Sequence, residues 1–248
     1  MPKERRDVSR TTPTFRRPLL KLSGEMLGGG SGFGFDRAAI EAYAAAVAEL
    51  TKHGITPSLV IGGGNFFRGA RGHLPALERH HADTIGMLAT VMNAVCFADH
   101  LATAGVRAKV FSATAMAPLV ETYTIDRVRE CLDDGIVCLF GGGTGSPYFS
   151  TDSAAALRAI ETGCDVLIKA TKVDGVYDAD PMKNPGAKKF DTIQYREVLD
   201  RQLGVMDLVA ITLCRDNRMP LLVLSMAEPH ALLRACTGET LGTRVVEA

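Results

Sequence analysis

An α/β fold with a mainly parallel central sheet is the architecture this sequence predicts, and three observations carry the prediction. Short apolar runs alternate with amphipathic stretches along the 248 residues. The runs are apolar throughout rather than at every second residue, as in strands covered on both faces. Glycine-rich turns follow three of the runs. In an open α/β sheet, ligands bind in the crevice beyond the carboxyl ends of the strands.

The expected strands, in order, are 18–22 (PLLKL), 57–61 (PSLVI), 108–111 (AKVF), 136–140 (IVCLF), 166–169 (VLIK) and 220–224 (PLLVL). Helices are predicted between them. In 36–53, Asp36 caps, Ile40, Tyr43, Val47 and Leu50 form one stripe, and Gly54 stops the helix. In 82–104, Ile85, Leu88, Met92 and Val95 read as the same kind of core stripe, with Gly105 as the stop. Residues 153–162 end at Gly163, and 206–217 form a further helix. Residues 172–193 hold two prolines and two glycines and read as a long functional loop or flap. No fixed-period repeat and no long linker divides the chain, so residues 17–248 are expected to form a single domain.

With 46% hydrophobic residues, a chain of this size buries roughly 70–75% of its unfolded surface. Its 28 basic and 28 acidic side chains cancel, which argues against bulk binding to nucleic acid or an anionic membrane. The six cysteines, at 96, 131, 138, 164, 214 and 236, contain no CxxC pair. They read as reduced core thiols in a cytoplasmic protein. No run approaches the roughly 18 apolar residues of a membrane span, and the start has no signal-like apolar region. Residues 1–16 read as a flexible polar tail.

The chemistry concentrates in the glycine turns KLSGEMLGGGSGFGF (21–35), GGGNFFRG (62–69) and GGGTGSPYFSTD (141–152). Glycine lets the backbone approach a ligand closely, and consecutive N–H groups beside a helix start form an anion site. Three such loops at one sheet edge point to phosphate. No GxxxxGK[ST], GxGxxG, HRD or DFG is present, so the P-loop, the dinucleotide fingerprint and the protein-kinase set are all absent. The missing fingerprint disfavours a dinucleotide oxidoreductase.

The remaining signal is charge at strand ends. Lys21 sits inside an apolar strand, where an ammonium needs an anion or a route to the surface. Arg68 follows GGGNFF, either as a phosphate fork or as a solvated loop residue. Lys169 closes VLIK, with Thr171 and Lys172 just beyond. Asp83 and Asp152 stand at helix starts, where a carboxylate either caps or serves a lysine or metal. Residues alone leave open a nucleotide kinase, a kinase acting on a carboxylate or carbamate, and a non-catalytic nucleotide-binding shell. The GTGSPYFSTD loop with Asp83 suits a nucleotide acceptor, and Lys21, Asp152 and Lys169 together argue for catalysis.

KLSGE (21–25), IGGGNFFRG (61–69), ADTIGMLATVMN (82–93), GTGSPYFSTDSAA (143–155), KATKVDGVYDADP (169–181) and VMDLVAITLCRDN (205–217) together resemble bacterial UMP kinases of the amino-acid-kinase superfamily. The match runs from about Arg17 onward, in order. The resemblance implies a three-layer αβα sandwich, a homohexamer, and Mg²⁺-dependent phosphoryl transfer from ATP to UMP in pyrimidine nucleotide synthesis. It implies catalytic roles for Lys21 and Asp152. It implies ATP contacts at Lys21, Leu22, Ser23, Gly24, Gly64, Arg68, Thr171, Tyr177 and Asp180. It places UMP against Gly63, Asp83, Thr144, Gly145, Ser146, Pro147, Tyr148, Phe149, Ser150 and Thr151. The acceptor site would fall mainly in the N-terminal two-thirds and the ATP site mainly in 165–248. Gly29, Gly30, Ser31, Gly32, Phe33 and Gly34 resemble a region tied to activation by GTP, and UTP is the feedback inhibitor in such enzymes. Ser146 and Tyr148 stand where Asn and Phe are common in the family. The segment RGHLPALERHH is richer in histidine and arginine than in some relatives.

Overall fold

The computed structural model describes residues 13–67, 76–184, 186–228 and 230–247. The first element, β1 (Pro18–Leu22), is the buried run PLLKL, with its proline at the strand start, where a missing N–H costs least. A short helix α1 (Gly24–Leu27) and a 3₁₀ turn (Gly29–Ser31) follow. Helix α2 (Arg37–Lys52) is capped by Asp36, whose side chain accepts the Ala39 N–H at 2.8 Å. Next come β2 (Ser58–Ile61), α3 (Arg79–Thr103), β3 (Ala108–Ser112), β4 (Glu121–Thr122) and α4 (Ile125–Asp133). Then follow β5 (Val137–Gly141), α5 (Thr151–Glu161) and β6 (Val166–Thr171). The C-terminal part adds β7 (Val176–Tyr177), β8 (Lys189–Phe190), β9 (Thr192–Gln194), α6 (Tyr195–Asp200), α7 (Leu208–Asp216), β10 (Leu221–Ser225), α8 (Ala231–Cys236) and β11 (Thr243–Val246).

Among the described residues, nine strands form one sheet in the order β4-β3-β5-β2-β1-β6-β10-β11-β9. Every pairing is parallel except β10 with β11. Strands β7 and β8 pair antiparallel on their own, so the expected flap carries a small hairpin. Successive strand residues face opposite ways. Leu20 and Leu22 enter a core with α2, α3 and α8, while Leu19 and Leu167 enter a second core with α5, α6 and α7. This is the predicted three-layer αβα sandwich. Chain order leaves β1 toward β2 on one side and returns to β6 on the other. The carboxyl end of β1 is therefore the switch point of the sheet, the ordinary place for a ligand crevice.

Three local expectations are corrected. Helix α3 starts at Arg79, so Asp83 lies one turn inside it rather than at its cap. Helix α5 is capped by Ser150, whose hydroxyl accepts the N–H groups of Asp152 and Ser153, so Asp152 is free for other work. The stripe Ile85, Leu88, Met92 and Val95 is exposed, not buried. The buried face of α3 instead carries Ala89, Thr90, Asn93, Ala94, Phe97 and Leu101. The physical reason is close approach. A Cβ on Gly63 would lie 2.5 Å from the Gly86 carbonyl and 2.9 Å from the Ala89 Cβ, so only small groups fit there.

Helix α3 is long and apolar enough to cross a bilayer by length and composition, with mean hydropathy 1.4 over its best window. Its inner face nonetheless packs into the sheet core. Residues 13–16 of the expected tail are held: Thr14 and Phe15 donate to the Cys236 carbonyl, and Arg16 donates to Asp165. Residues 1–12 of that tail lie outside the described residues. All six cysteines are free, and five are buried.

Candidate active site

Register brings the two strand-end lysines together. Strands β1 and β6 pair so that Lys21 faces Lys169 across adjacent positions, on the same side of the sheet. Asp152, in the first turn of α5, reaches between them. Its Oδ1 lies 2.6 Å from the Lys21 Nζ and its Oδ2 lies 2.9 Å from the Lys169 Nζ. The Lys21 contact is an ion pair off the line of a hydrogen bond, whereas Lys169 donates properly. Lys169 also donates to the Val205 carbonyl at 2.5 Å. All three side chains are less than a fifth exposed.

Burial works against the Asp152 charge, but the two ammoniums outweigh it and hold the carboxyl below its ordinary value. Burial lowers Lys169, the Lys21 charge adds to that, and the neighbouring Asp152 only partly offsets it. Two cations on one carboxylate leave a net positive charge, and the α5 N-terminus adds to it. The arrangement is preorganised for a polyanion, with the acid serving to hold the lysines in place.

On the β2 and β5 side lies a cavity of about 120 Å³. Gly63, Asp83, Phe149, Ser150 and Thr151 line it, all five predicted as acceptor contacts. Arg79 grips Asp83 through Nε at 3.0 and 2.9 Å, and the Tyr148 N–H donates to Asp83 Oδ2 at 2.9 Å. Tyr148 adopts φ 71°, a strained conformation for a bulky residue. The Arg79 guanidinium lies 5.7 Å from its ring centroid. Thr144, Gly145, Ser146 and Pro147 form the turn beyond the cavity wall. There the Thr144 hydroxyl donates to the Ser146 carbonyl and accepts the Ser146 N–H.

On the β6 and β10 side a larger cavity of about 710 Å³ opens. Lys169, Thr171, Tyr177, Asp180 and Val205 line it, so three predicted ATP contacts share one space with a site lysine. Tyr177 donates to Asp174 at 2.5 Å, and Asp180 accepts the Met182 N–H at 3.0 Å. Gly24 and Gly64 meet at the β1 end, where a Cβ on Gly24 would lie 2.9 Å from the Gly64 nitrogen. The Leu22 side chain is buried in the core, and its carbonyl accepts the Gly62 N–H at 2.9 Å. Ser23 precedes α1 without capping it. Arg68 lies outside the described residues.

Gly29, Gly30, Ser31, Gly32, Phe33 and Gly34 sit beside this region rather than in either cavity wall, apart from Gly29, which borders a separate pocket with Tyr43 and Lys172. Gly34 is clipped to the β2 loop from both directions: its N–H donates to the Asn65 carbonyl, and its carbonyl accepts the Asn65 amide at 2.8 Å.

Sequence reasoning missed Asp207. It caps α7 through the Ala210 N–H and accepts hydroxyl hydrogens from Ser150 and Ser153, tying the acceptor loop to the donor side. The predicted helix 206–217 enclosed it, whereas α7 starts at Leu208. It also missed Thr90, Asn65 and Asn93, polar residues lost inside apolar or glycine-rich runs.

Residues 16–225 match the amino acid kinase family. The uridylate kinase of Pseudomonas putida is 50% identical over 240 residues, covering 97% of each chain. That of Pseudomonas aeruginosa strain PAO1 is 48% identical, covering 97% of this chain and 98% of its own. The crystal structure of UMP kinase from Bacillus anthracis superposes with TM-score 0.91 at 34% identity, over 94% of this chain and 96% of that one. UMP kinase from Ureaplasma parvum gives TM-score 0.88 at 33% identity, over 94% and 99%. The chain belongs to the amino acid kinase family and, within it, to the uridylate kinases.

Proposed function

We propose that this chain transfers the γ-phosphoryl group of ATP to UMP, giving ADP and UDP. The observation that carries the reading is the Lys21–Asp152–Lys169 cluster seated between a small glycine-lined cavity and a large one. The near-full-length likeness to uridylate kinases supports UMP as the acceptor.

A phosphate monoester has a second pKa near 6 and is mostly dianionic at pH 7, so the acceptor needs no general base. A UMP phosphate oxygen attacks the γ-phosphorus, and the bond to the β–γ bridging oxygen breaks, releasing ADP. Transfer is direct and in line. The obstacle is repulsion between two polyanions. The lysine ammoniums and loop N–H groups offset it and stabilise the charge spreading over the moving group. Asp152 positions both ammoniums. The site carboxylates are already engaged, Asp152 by two lysines and Asp207 by two hydroxyls and a backbone N–H. They fit a Mg²⁺ ion that arrives on the ATP phosphates rather than one caged by the protein.

In this reading Thr171, Tyr177 and Asp180 receive the nucleoside end of ATP. Asp83 meets the UMP ribose hydroxyls. GTP activates through the 29–34 segment, which is clipped to the β2 loop at Asn65, and UTP inhibits. The exposed stripe of α3 supports self-association, since four large apolar side chains on one helical face favour burial against a second copy. A homohexamer acting in the cytoplasm on pyrimidine nucleotide synthesis completes the proposal. Incubation with MgATP and UMP tests it: UDP and ADP should appear one for one, and ADP without UDP would refute it.

A further inference from the structure

We infer that Thr90 and Asn93 are positioning residues of the acceptor site, holding both of its glycine loops by their backbones from one face of α3. The inference rests on the phosphoryl-transfer reading above. Thr90 and Asn93 stand three residues apart, so they project from the same helical face. They are 2% and 0% exposed.

Each makes contacts that only a polar group can make. The Thr90 hydroxyl donates to the Met87 carbonyl at 2.6 Å and accepts the Gly142 N–H at 2.8 Å. Gly142 opens the β5 loop with φ 76°, the left-handed turn that launches the chain toward the acceptor cavity. The Asn93 amide donates to the Gly62 carbonyl at 2.7 Å and to Asn65 Oδ1 at 2.7 Å. Asn65 returns a hydrogen bond to Asn93 Oδ1 at 3.0 Å. The two amides thus close a ring under the β2 loop.

The backbone packs as tightly. A Cβ on Gly141 of the β5 loop would lie 2.9 Å from Val91, and one on Gly63 of the β2 loop would lie 2.5 Å from the Gly86 carbonyl. Both loops therefore rest directly on α3, and the two polar residues fix where along the helix each one sits. A polar pair inside an apolar helix face is costly unless its hydrogen bonds matter. Here they set the position of Gly63 and Gly143, which border the acceptor cavity together with Thr90, whose hydroxyl is already committed to Met87 and Gly142.

The test is steady-state kinetics of Thr90→Val and Thr90→Ser, with UMP and ATP varied separately and thermal unfolding recorded alongside. Valine keeps the shape and removes the hydroxyl. KM for UMP should rise about 5- to 10-fold in Thr90→Val, the scale of one lost hydrogen bond. KM for ATP should hold, and Thr90→Ser should restore the UMP value. The double variant Asn65→Leu/Asn93→Leu, which removes both amides together, should shift KM for UMP in the same direction. A folded Thr90→Val with unchanged KM for UMP would overturn the inference, as would a loss of kcat alone with lower thermal stability. If Thr90→Val does not fold, exchange of the Gly142 amide in the unsubstituted protein decides. Strong protection without ligand is expected, and fast exchange overturns the assignment. Failure of the underlying reading is distinct, because the unsubstituted protein would then show no turnover with UMP.

Discussion

The two sides of the β1 switch point are built differently. The β2 and β5 side is small, about 120 Å³; Gly63, Gly86 and Gly143 share its walls with Asp83, Thr90 and Phe149, and Thr90 and Asn93 hold its two loops to α3. The β6 and β10 side is large, about 710 Å³, and loops 173–181 and 201–205 wall much of it. Lys169 borders the large side, and Lys21 and Asp152 complete the cluster between the two. The contrast teaches where selectivity should reside. A tight cavity whose shape is fixed by hydrogen-bonded backbone discriminates between acceptors. A wide one lined by loops admits a large donor and discriminates less.

The largest effect should come from the cluster that both sides share. Lys21→Ala should lower kcat by about 10²–10³-fold, or about 3–4 kcal/mol, the scale of one preorganised charge-stabilising donor. Near-normal turnover would remove Lys21 from the chemistry. The same cluster predicts a pH signature. The Asp152 carboxyl is held below its ordinary value, so its contribution to stability is complete above that value. It is lost as pH falls through the lowered folded value. Acid unfolding of Asp152→Asn should lack that limb, and identical acid profiles would contradict the pairing. Lys169 is also lowered, so its ammonium is lost at a pH below that of a free lysine. Activity should fall on that alkaline limb, which a kcat profile would read.

A smaller effect separates the two cavities. Asp83→Asn removes the charge that holds Arg79 and weakens the grip on the Tyr148 N–H. KM for UMP should rise about 10-fold, the loss of one charge-assisted contact, with KM for ATP unchanged. Equal changes in both would erase the division of labour. The smallest effect on chemistry should come from the outer face of α3. Leu88→Glu should disperse the proposed assembly in sedimentation while the chain stays folded. An unchanged mass would free that face from self-association.

Much of this fold was legible because a buried parallel strand reads as a continuous apolar run. PLLKL, PSLVI and IVCLF needed no tertiary information. Helix α3 was the instructive failure. It is apolar around most of its circumference, so its periodicity did not say which face was inward. Close approach of Gly63 to Gly86 and Ala89 decided that, and sequence spacing does not show such contacts. In the site, Lys21, Lys169 and Asp152 were legible as charges at strand and helix ends. The seating of one carboxylate between both ammoniums was not, because it depends on the β1–β6 register and on Ser150 taking the capping role. Asp207 stayed hidden because the predicted 206–217 helix enclosed it, whereas it caps α7, and its contact with the Ser150 and Ser153 hydroxyls spans more than 50 residues. Strands β4 and β7 to β9 span only two or three residues, too few to show a period.

The most direct test of the account is coupled ADP release with MgATP against UMP, CMP, dUMP, aspartate and acetylglutamate in parallel. The account predicts turnover with UMP far above every other acceptor. Turnover with an amino acid, or silence with UMP despite nucleotide binding, would contradict it.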